Sequence, residues 1–223
     1  MLVSISPKLA LLEEYALVAR ALSAPARLSI LEQLSQGERG VEALAEKTGL
    51  TFANCSQHLQ QLRRSGLVTS RRDGKAVIYR LSDAKTLALM DLLRIVAERN
   101  LAQVERILRG LSGGDDAPEP MSRKELAERL ADGSVTVLDV RPADEYAMGH
   151  IAGAQNVSLA DLERILLKLA PDAEIVAYCR GPYCVYAHQA VATLRRHGLN
   201  ARRLDGGLPE WREDGRPVHL GAN

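Results

Sequence analysis

Two cysteines stand five residues apart in the stretch VAYCRGPYCVYA, where an apolar run ends on Cys179 and Cys184 follows. Two thiols at this spacing can form a structural disulfide, hold a metal ion or supply a reactive thiolate. A strand-like run, EIVAY, precedes the pair, and a helical pattern follows it over 184–197. Both cysteines therefore flank the turn between this strand and this helix, and the composition of the turn must decide among the three possibilities.

The composition of the turn favours the reactive thiolate. Free backbone N–H groups at a helix N-terminus stabilise an anion and lower the pKa of a thiol placed there. We expect Gly181 to bring amides close to the sulfur of Cys179, Pro182 to stiffen the turn, and Arg180 to add positive charge. The sequence predicts a cradle for a sulfur-centred anion on Cys179, formed by Arg180, Gly181, Pro182, Tyr183 and Cys184.

Two interpretations of Cys184 remain open. It can be a packing residue in the first turn of the helix, or a resolving thiol that attacks the oxidised sulfur of Cys179 and closes a disulfide. A zinc site that adds His188, which shares a helix face with Cys184, lacks a fourth ligand. We expect no metal and no cofactor.

The lack of an evident membrane span or signal peptide indicates a reducing compartment for these thiols. With 46% hydrophobic and 26% charged residues, the chain is typical of globular proteins. No apolar run approaches the length of a membrane span, and the N-terminus MLVSISPKLALLEEY carries acids where a signal peptide has a basic start. We therefore expect a cytoplasmic protein with no membrane partner, in which three cysteines do not make a disulfide framework.

The charge is divided unequally along the 223 residues. Residues 1–112 hold 16 Lys and Arg against 11 Asp and Glu, whereas the remainder holds 13 against 17. The stretch SGGDDAPEP near the midpoint consists almost wholly of linker residues. These features predict a domain over 1–112 that meets a polyanion, a linker over 113–120, and a second domain over 121–223.

The second domain alternates between strands and helices. The predicted order is strand 135–140, helix 142–148, strand 155–157, helix 159–169, strand 174–178, helix 184–197 and strand 201–204. Such alternation predicts an α/β fold with a parallel sheet covered by helices.

The first domain is mainly helical with one hairpin. Helical spacing of apolar residues runs over 8–22, 25–35, 41–48, 51–65 and 83–111, and two short strands, 67–71 and 76–81, flank Arg72-Asp-Gly-Lys75. A short helix, a tight turn at Gly49, a second helix and a basic hairpin make a winged helix-turn-helix.

Residues 51–80 hold six basic residues and one acid. One face of the helix is apolar and should pack inward: Phe52, Cys55, Leu59 and Leu62. The other face presents side chains that can bind phosphates or read base edges: Asn54, Ser56, Gln57, Gln60, Gln61, Arg63 and Arg64. The hairpin tip adds three cations for phosphates or a minor groove: Arg71, Arg72 and Lys75.

About residues 8–110 resemble the winged-helix core of the ArsR family of dimeric bacterial repressors. The resemblance rests on LSAPARLSILEQLSQGERGVEALAEKTGLTFANCSQHLQQLRRSGLVTSRRDGKAVIYRLSD, above all on Ser-Gln-His-Leu followed by Gly-Leu-Val. It implies a homodimer that binds two-fold symmetric, double-stranded operator DNA. The helix over 83–111 independently favours a dimer, because its two apolar stripes exceed what one small domain needs.

This chain departs from the metal-sensing members of that family. The helix over 41–48 has no paired cysteine, and the helix over 83–111 has neither His nor Cys. We therefore expect no metal sensing by this half. Cys55 lies on the inward face, where we expect an inert buried hydrophobe.

About residues 121–220 resemble the rhodanese domain, on LDVRPADEYAMGHIAGAQNVSLADL, LDGGLPEW and the loop CRGPYC. The resemblance implies that Cys179 attacks a donor such as thiosulfate or polysulfide, holds its sulfur as a persulfide and passes it to an acceptor. It also implies scaffold roles for Asp139, Arg141, Glu145 and His150. Many single-domain sulfurtransferases close the loop with Arg where this chain has Cys184. An oxyanion hydrolase needs a longer loop closed by an arginine, and we exclude it because Val185 and Tyr186 follow here.

The predicted architecture is a mainly-α winged helix-turn-helix domain followed by an α/β rhodanese domain with a parallel sheet. The favoured function is a transcriptional regulator, a repressor, whose reactive Cys179 forms a persulfide or disulfide that modulates DNA binding. The alternative is a sulfurtransferase for which the winged helix serves delivery or dimerisation. A third interpretation is that the rhodanese half binds a signal without turnover.

Overall fold

A computed structural model describes residues 6–112, 118–166, 169–170, 173–181 and 184–221. The chain divides into two compact units, the first reaching Met90 and the second beginning at Asp91. This division lies inside a helix, whereas the sequence predicted a linker over 113–120, most of which lies outside the described residues. The predicted domain bounds stay a prediction, and each unit is described separately.

The first unit is helical with a small sheet. Its elements are α1 (Pro7–Leu22), α2 (Pro25–Gln36), β1 (Arg39–Gly40), α3 (Val41–Thr48), α4 (Phe52–Arg64), β2 (Val68–Asp73) and β3 (Ala76–Leu81). The helices and the hairpin are where the sequence predicted them. The two-residue β1, which pairs antiparallel with β3, was not predicted, because two residues carry no periodicity.

Local signals fix the helix-turn-helix. Gly49 ends α3 in a left-handed conformation (φ 67°). Residues with a side chain adopt this conformation only at an energetic cost. The Thr51 side chain then accepts a hydrogen bond from the Asn54 amide at 3.3 Å and caps α4. In the hairpin, Asp73 pairs with Ala76, which leaves Gly74 and Lys75 as a two-residue turn.

The predicted helix over 83–111 is wrong as a single element. The structure has α5 (Ala84–Asn100) and α6 (Ala102–Ser112), separated at Leu101. The Asn100 side chain donates to the backbone carbonyl of Val96 at 2.7 Å. Asparagine offers the backbone this alternative partner and is therefore unfavourable inside helices. The break lies directly after it.

The second unit contains α5 from Asp91 onward and the whole of α6, together with the alternating elements. These are α7 (Arg123–Asp132), β4 (Val135–Asp139), α8 (Ala143–Ala147), β5 (His150–Ile151), β6 (Gln155–Asn156), α9 (Leu162–Ile165), β7 (Glu174–Tyr178), α10 (Tyr186–Arg196), β8 (Ala201–Arg203), α11 (Leu208–Glu213) and β9 (Val218–His219). The sheet has the order β6-β4-β7-β8. Every pair of neighbouring strands is parallel, which confirms the predicted parallel sheet. A small antiparallel pair, β5 with β9, was not predicted.

The sheet separates two apolar cores. Alternate residues of β7 point to opposite sides, so Ile175 and Ala177 lie in a core with α10, while Val176 and Tyr178 lie in a core with Trp211. The central strand β7 is buried on both faces, which explains its continuous apolar sequence. Cys179 follows directly after the carboxyl end of this strand. None of the helices in the described ranges is long and apolar enough to cross a membrane.

Candidate functional site

The α4 helix presents the predicted polar face to solvent. Cys55, Leu59 and Leu62 are fully buried, in agreement with the prediction. The residues of the opposite face are exposed except for the half-buried Ser56: Asn54, Gln57, Gln60, Gln61, Arg63 and Arg64. The inward prediction for Phe52 is wrong, since its side chain is 55% exposed. Phe52 is the first residue of α4 and lies about one turn before Cys55, the first buried residue of the helix.

Contacts within the unit already engage part of this face. Arg27 donates to the Gln61 side-chain oxygen at 2.7 Å, and Arg63 lies 3.5 Å from the Ser70 hydroxyl. Gln57 and Arg64 make no hydrogen bond to another side chain in the described part of the chain. The exposed side chains of Asn54 and Gln60 make none there either, so these four residues are the most available for bases and phosphates.

The hairpin tip carries fewer free cations than predicted. Arg71 donates to Glu38 and to Asp73, each at 3.1 Å, and these hydrogen bonds raise the pKa of Arg71. Its charge is therefore shared with two carboxylates. Arg72 and Lys75 are exposed, and the predicted phosphate contact rests chiefly on them.

Cys55 has the environment of an inert thiol. Its side chain is fully buried, and burial raises the pKa of the thiol. It is the only free cysteine in the described part of the chain. Because the thiolate is the reactive form, a raised pKa keeps Cys55 unreactive.

The structure joins the sulfurs of Cys179 and Cys184 in a disulfide, with the two Cα atoms 6.2 Å apart. Cys179 is 1% exposed and Cys184 is 7% exposed. The predicted loop residues Pro182 and Tyr183 lie outside the described residues. The two thiols are thus within reach of one another, the geometry that a resolving thiol requires.

The start of the predicted helix over 184–197 needs correction. The helix α10 begins at Tyr186, so Cys184, not Cys179, leads into it, and the disulfide connects Cys179 to this end. The amide of Cys184 donates to the carbonyl of Gly181 at 3.0 Å and closes the turn. That amide is therefore not directed at the sulfur, as the cradle prediction required.

Arg180 does not direct its charge at the sulfur either. It donates to both carboxylate oxygens of Glu145, at 2.8 and 2.9 Å, and its guanidinium lies 5.3 Å from the centre of the Tyr186 ring. Glu145 is completely buried. A bidentate pair of this kind fixes both groups and neutralises them. The predicted role of Arg180 as a positive charge for the thiolate is therefore wrong.

A second buried network supports the carboxyl ends of the strands. Arg141 donates to both oxygens of Asp139, at 2.9 and 2.5 Å, and to the carbonyl of Gly149 at 2.8 Å. The Tyr178 hydroxyl donates to Asp139 at 2.5 Å. His150 stacks on Tyr146 with ring centres 3.7 Å apart. This geometry agrees with scaffold roles for Asp139, Arg141 and His150.

The turn before α11 lies directly against the cysteine loop, a contact that sequence reasoning missed. The Leu208 amide donates to the Cys179 carbonyl at 3.4 Å. A Cβ atom added at Gly207 would lie 2.6 Å from that carbonyl and 2.5 Å from the Gly181 nitrogen. Only glycine fits here, and the Gly-Gly dipeptide before α11 was the signal of a close backbone approach.

Comparison with known proteins agrees with these two units. The model of the rhodanese-like domain matches residues 122–214, and the model of bacterial regulatory proteins of the arsR family matches residues 24–70. The HTH-type transcriptional regulator Rv0324 of Mycobacterium tuberculosis is 44% identical over 215 residues, which cover 96% of this chain and 94% of that protein.

Shorter similarities fall on single units. A biofilm growth-associated repressor of Agrobacterium fabrum is 38% identical over 80 residues, 36% of this chain and 68% of that protein. The crystal structure of a rhodanese-related protein from Thermoplasma volcanium is 30% identical and covers 46% of this chain and 99% of that chain, with a TM-score of 0.42. With a relative similar over nearly its whole length and a matching helix-turn-helix, this chain belongs to the arsR family of DNA-binding transcriptional regulators, and it carries a rhodanese-like domain after its helix-turn-helix.

Proposed function

We propose that this regulator is a cytoplasmic repressor that responds to sulfane sulfur through Cys179 and Cys184. The observation that carries the proposal is the proximity of the two sulfurs at the carboxyl end of the central strand. A lone reactive cysteine would suffice for sulfur transfer. A second thiol within bonding distance adds a way to store the signal as a disulfide.

The proposed chemistry has two steps. The thiolate of Cys179 attacks the outer sulfur of a donor such as thiosulfate, which forms a Cys179 persulfide and releases sulfite. The thiolate of Cys184 then attacks the inner sulfur of the persulfide, forms the Cys179–Cys184 disulfide and releases hydrosulfide. The two thiols are oxidised, and the transferred sulfur is reduced to sulfide.

Exposed apolar side chains support a homodimer. On α1, Leu11 and Tyr15 are 55% and 66% exposed, and on α5, Leu92 and Val96 are each 59% exposed. On each of the two helices taken by itself, such exposed apolar surface is unfavourable in water and is typical of an interaction site. A second copy of the chain would cover it, and a symmetric dimer matches a two-fold symmetric operator.

A packed connection supports signal transmission out of the cysteine loop. The helix α10, which begins two residues after Cys184, packs against α6. The His188 Nδ1 atom on α10 lies 2.7 Å from the hydroxyl of Ser112, the last residue of α6. Burial lowers the pKa of His188 to about 4, so this contact involves a neutral ring at neutral pH. The chain continues from α6 through α5 into the first unit.

A titration of operator DNA, followed by fluorescence anisotropy before and after polysulfide treatment, tests the proposal. The wild-type protein should change its affinity roughly 5- to 150-fold, the usual range of allosteric coupling. Cys179→Ser should abolish the change, and the control Cys55→Ser should retain it. A Cys179→Ser protein that responds as the wild type does would refute the proposal.

Turnover separates the proposal from its rival. The alternative is a sulfurtransferase whose helix-turn-helix only delivers or dimerises it, and it predicts rapid transfer from thiosulfate with unchanged operator affinity. Cys184 argues against sustained turnover, because each persulfide can end as a disulfide. With cyanide as the sulfur acceptor and no added thiol reductant, repeated sulfite release at constant DNA affinity would favour the rival.

A further inference from the structure

A buried carboxyl group lies directly against the cysteine loop. Glu210, in the first turn of α11, is only 7% exposed. Both of its carboxylate oxygens are 3.4 Å from the position that a Cβ atom on Gly181 would occupy. Gly181 lies between the two cysteines, with a φ of 145° that favours glycine. The carboxyl group therefore lies next to Gly181, in the space that a side chain at this position of the loop would occupy.

Half of this carboxyl group has no partner. Its Oε2 atom accepts a hydrogen bond from the Gly207 amide at 2.8 Å. Its Oε1 atom is buried and receives no hydrogen bond from any residue in the described ranges. A buried, half-satisfied carboxylate is costly, and such groups in native proteins usually have a function. The capping bond to Gly207 alone would need only one of the two oxygens.

We propose that Glu210 is a positioning residue of the cysteine loop, whose negative charge opposes formation of an anion on Cys179. This inference rests on the proposed sulfur chemistry, since it concerns the thiolate and the persulfide that carry it. Two like charges in a poorly solvated site cannot both form freely, so ionisation of one raises the pKa of the other. An uncharged Glu210 would permit the thiolate, and an ionised Glu210 would restrain it.

The surroundings allow Glu210 to change its charge near neutral pH. Burial raises the pKa of Glu210 to about 7, although the Gly207 amide and Arg123 oppose the shift. Asp91 adds to the increase. Arg123 is itself bound to Asp214 at 2.7 Å, so it does not neutralise Glu210 fully. Below pH 7 the carboxyl group is therefore mostly neutral, and above pH 7 it is mostly charged.

The first test measures the thiol titration in a chain carrying Cys55→Ser and Cys184→Ser, in which Cys179 is the only thiol. Thiolate absorbance should rise in two steps, because the two groups titrate as a coupled pair. Glu210→Gln, which keeps an acceptor for the Gly207 amide, should leave one step and lower the thiol pKa by about one unit, roughly a tenfold increase in thiolate near neutral pH.

The matched control is Glu213→Gln, an exposed glutamate in the same helix, which should titrate as the parent chain does. Circular dichroism confirms that each variant is folded. If Glu210→Gln gives the same titration curve as the parent, the proposal is refuted. This assay uses neither DNA nor a sulfur donor. A negative result here would therefore refute the role of Glu210 without refuting the proposed regulation, and a loss of the regulation would leave this result unchanged.

A reciprocal measurement needs no change at position 210. Coupling between two sites is mutual, so an anion on Cys179 must also raise the pKa of Glu210. Carbon-13 NMR of the glutamate carboxyls in the Cys55→Ser/Cys184→Ser chain should show a higher Glu210 pKa when Cys179 is persulfidated than when it is alkylated. Equal values in the two forms would refute the proposal even if Glu210→Gln did not fold.

Discussion

Replacing Glu145 with leucine should strongly destabilise the second unit. The Glu145 side chain is fully buried, and its partner Arg180 is 10% exposed, so the substitution leaves a guanidinium in a nearly dry site. Removing one partner of a buried ion pair typically costs about 3–5 kcal/mol. With a urea m-value of roughly 2 kcal/mol/M, the midpoint should fall by about 2 M.

The sequence supplies a probe for this measurement. Trp211 is the only tryptophan of the chain, and it is 2% exposed in the core of the second unit, so its fluorescence reports the unfolding of that unit. The double variant Glu145→Leu/Arg180→Met, which removes both charges, should lose less stability than Glu145→Leu alone. As a control, Glu128→Gln removes an exposed carboxylate and should change the free energy of unfolding by less than ~0.5 kcal/mol. If Glu145→Leu lowers the free energy of unfolding by less than ~1 kcal/mol, the prediction is wrong and solvent screens the Glu145–Arg180 pair.

The remaining predictions concern DNA binding and signal transmission. Gln57→Ala and Arg64→Ala should each weaken binding to the operator by about 1–3 kcal/mol relative to random DNA, measured by competition titration. Lys75→Ala should weaken binding to all DNA alike and reduce the salt slope by about one; an unchanged slope would remove Lys75 from the interface. His188→Ala should lose the contact to Ser112 and reduce the change in operator affinity after polysulfide, with Cys179 persulfidation intact by mass spectrometry. An unaltered affinity change would exclude this contact from the signal.

Periodic elements could be predicted from the sequence because each carries its own signal. The α4 helix combines apolar residues at spacings of three and four with a capping threonine, and the hairpin has a Gly-Lys turn between alternating strands. The parallel sheet followed from the alternation of elements. The two-residue strands β1 and β5 were missed, because two residues show no period and these strands are defined only by their partners. The equally short β6 was predicted from its place in the alternation of elements.

The geometry around the cysteines could be predicted only in part. The loop residues predict a reactive Cys179, but the direction of Arg180 depends on Glu145, which lies 35 residues earlier in the chain. The proximity of Glu210 depends on a contact between two backbone turns at Gly181 and Gly207. Such contacts are set by tertiary packing, and local composition carries no information about their partners.

Under the proposed mechanism, the pairing of the two thiols also determines how long a sulfur signal can last. A persulfide on Cys179 alone would persist until an external acceptor reached a side chain that is 1% exposed. With the Cys184 sulfur within bonding distance, the internal attack needs no second molecule and has the kinetic advantage of an intramolecular reaction. The persulfide is then the brief species and the disulfide the lasting one, so recovery requires a reductant and not merely loss of the donor. Substitution of Cys184 by serine would reverse this order, because the persulfide would then have no internal partner and would itself be the stored form.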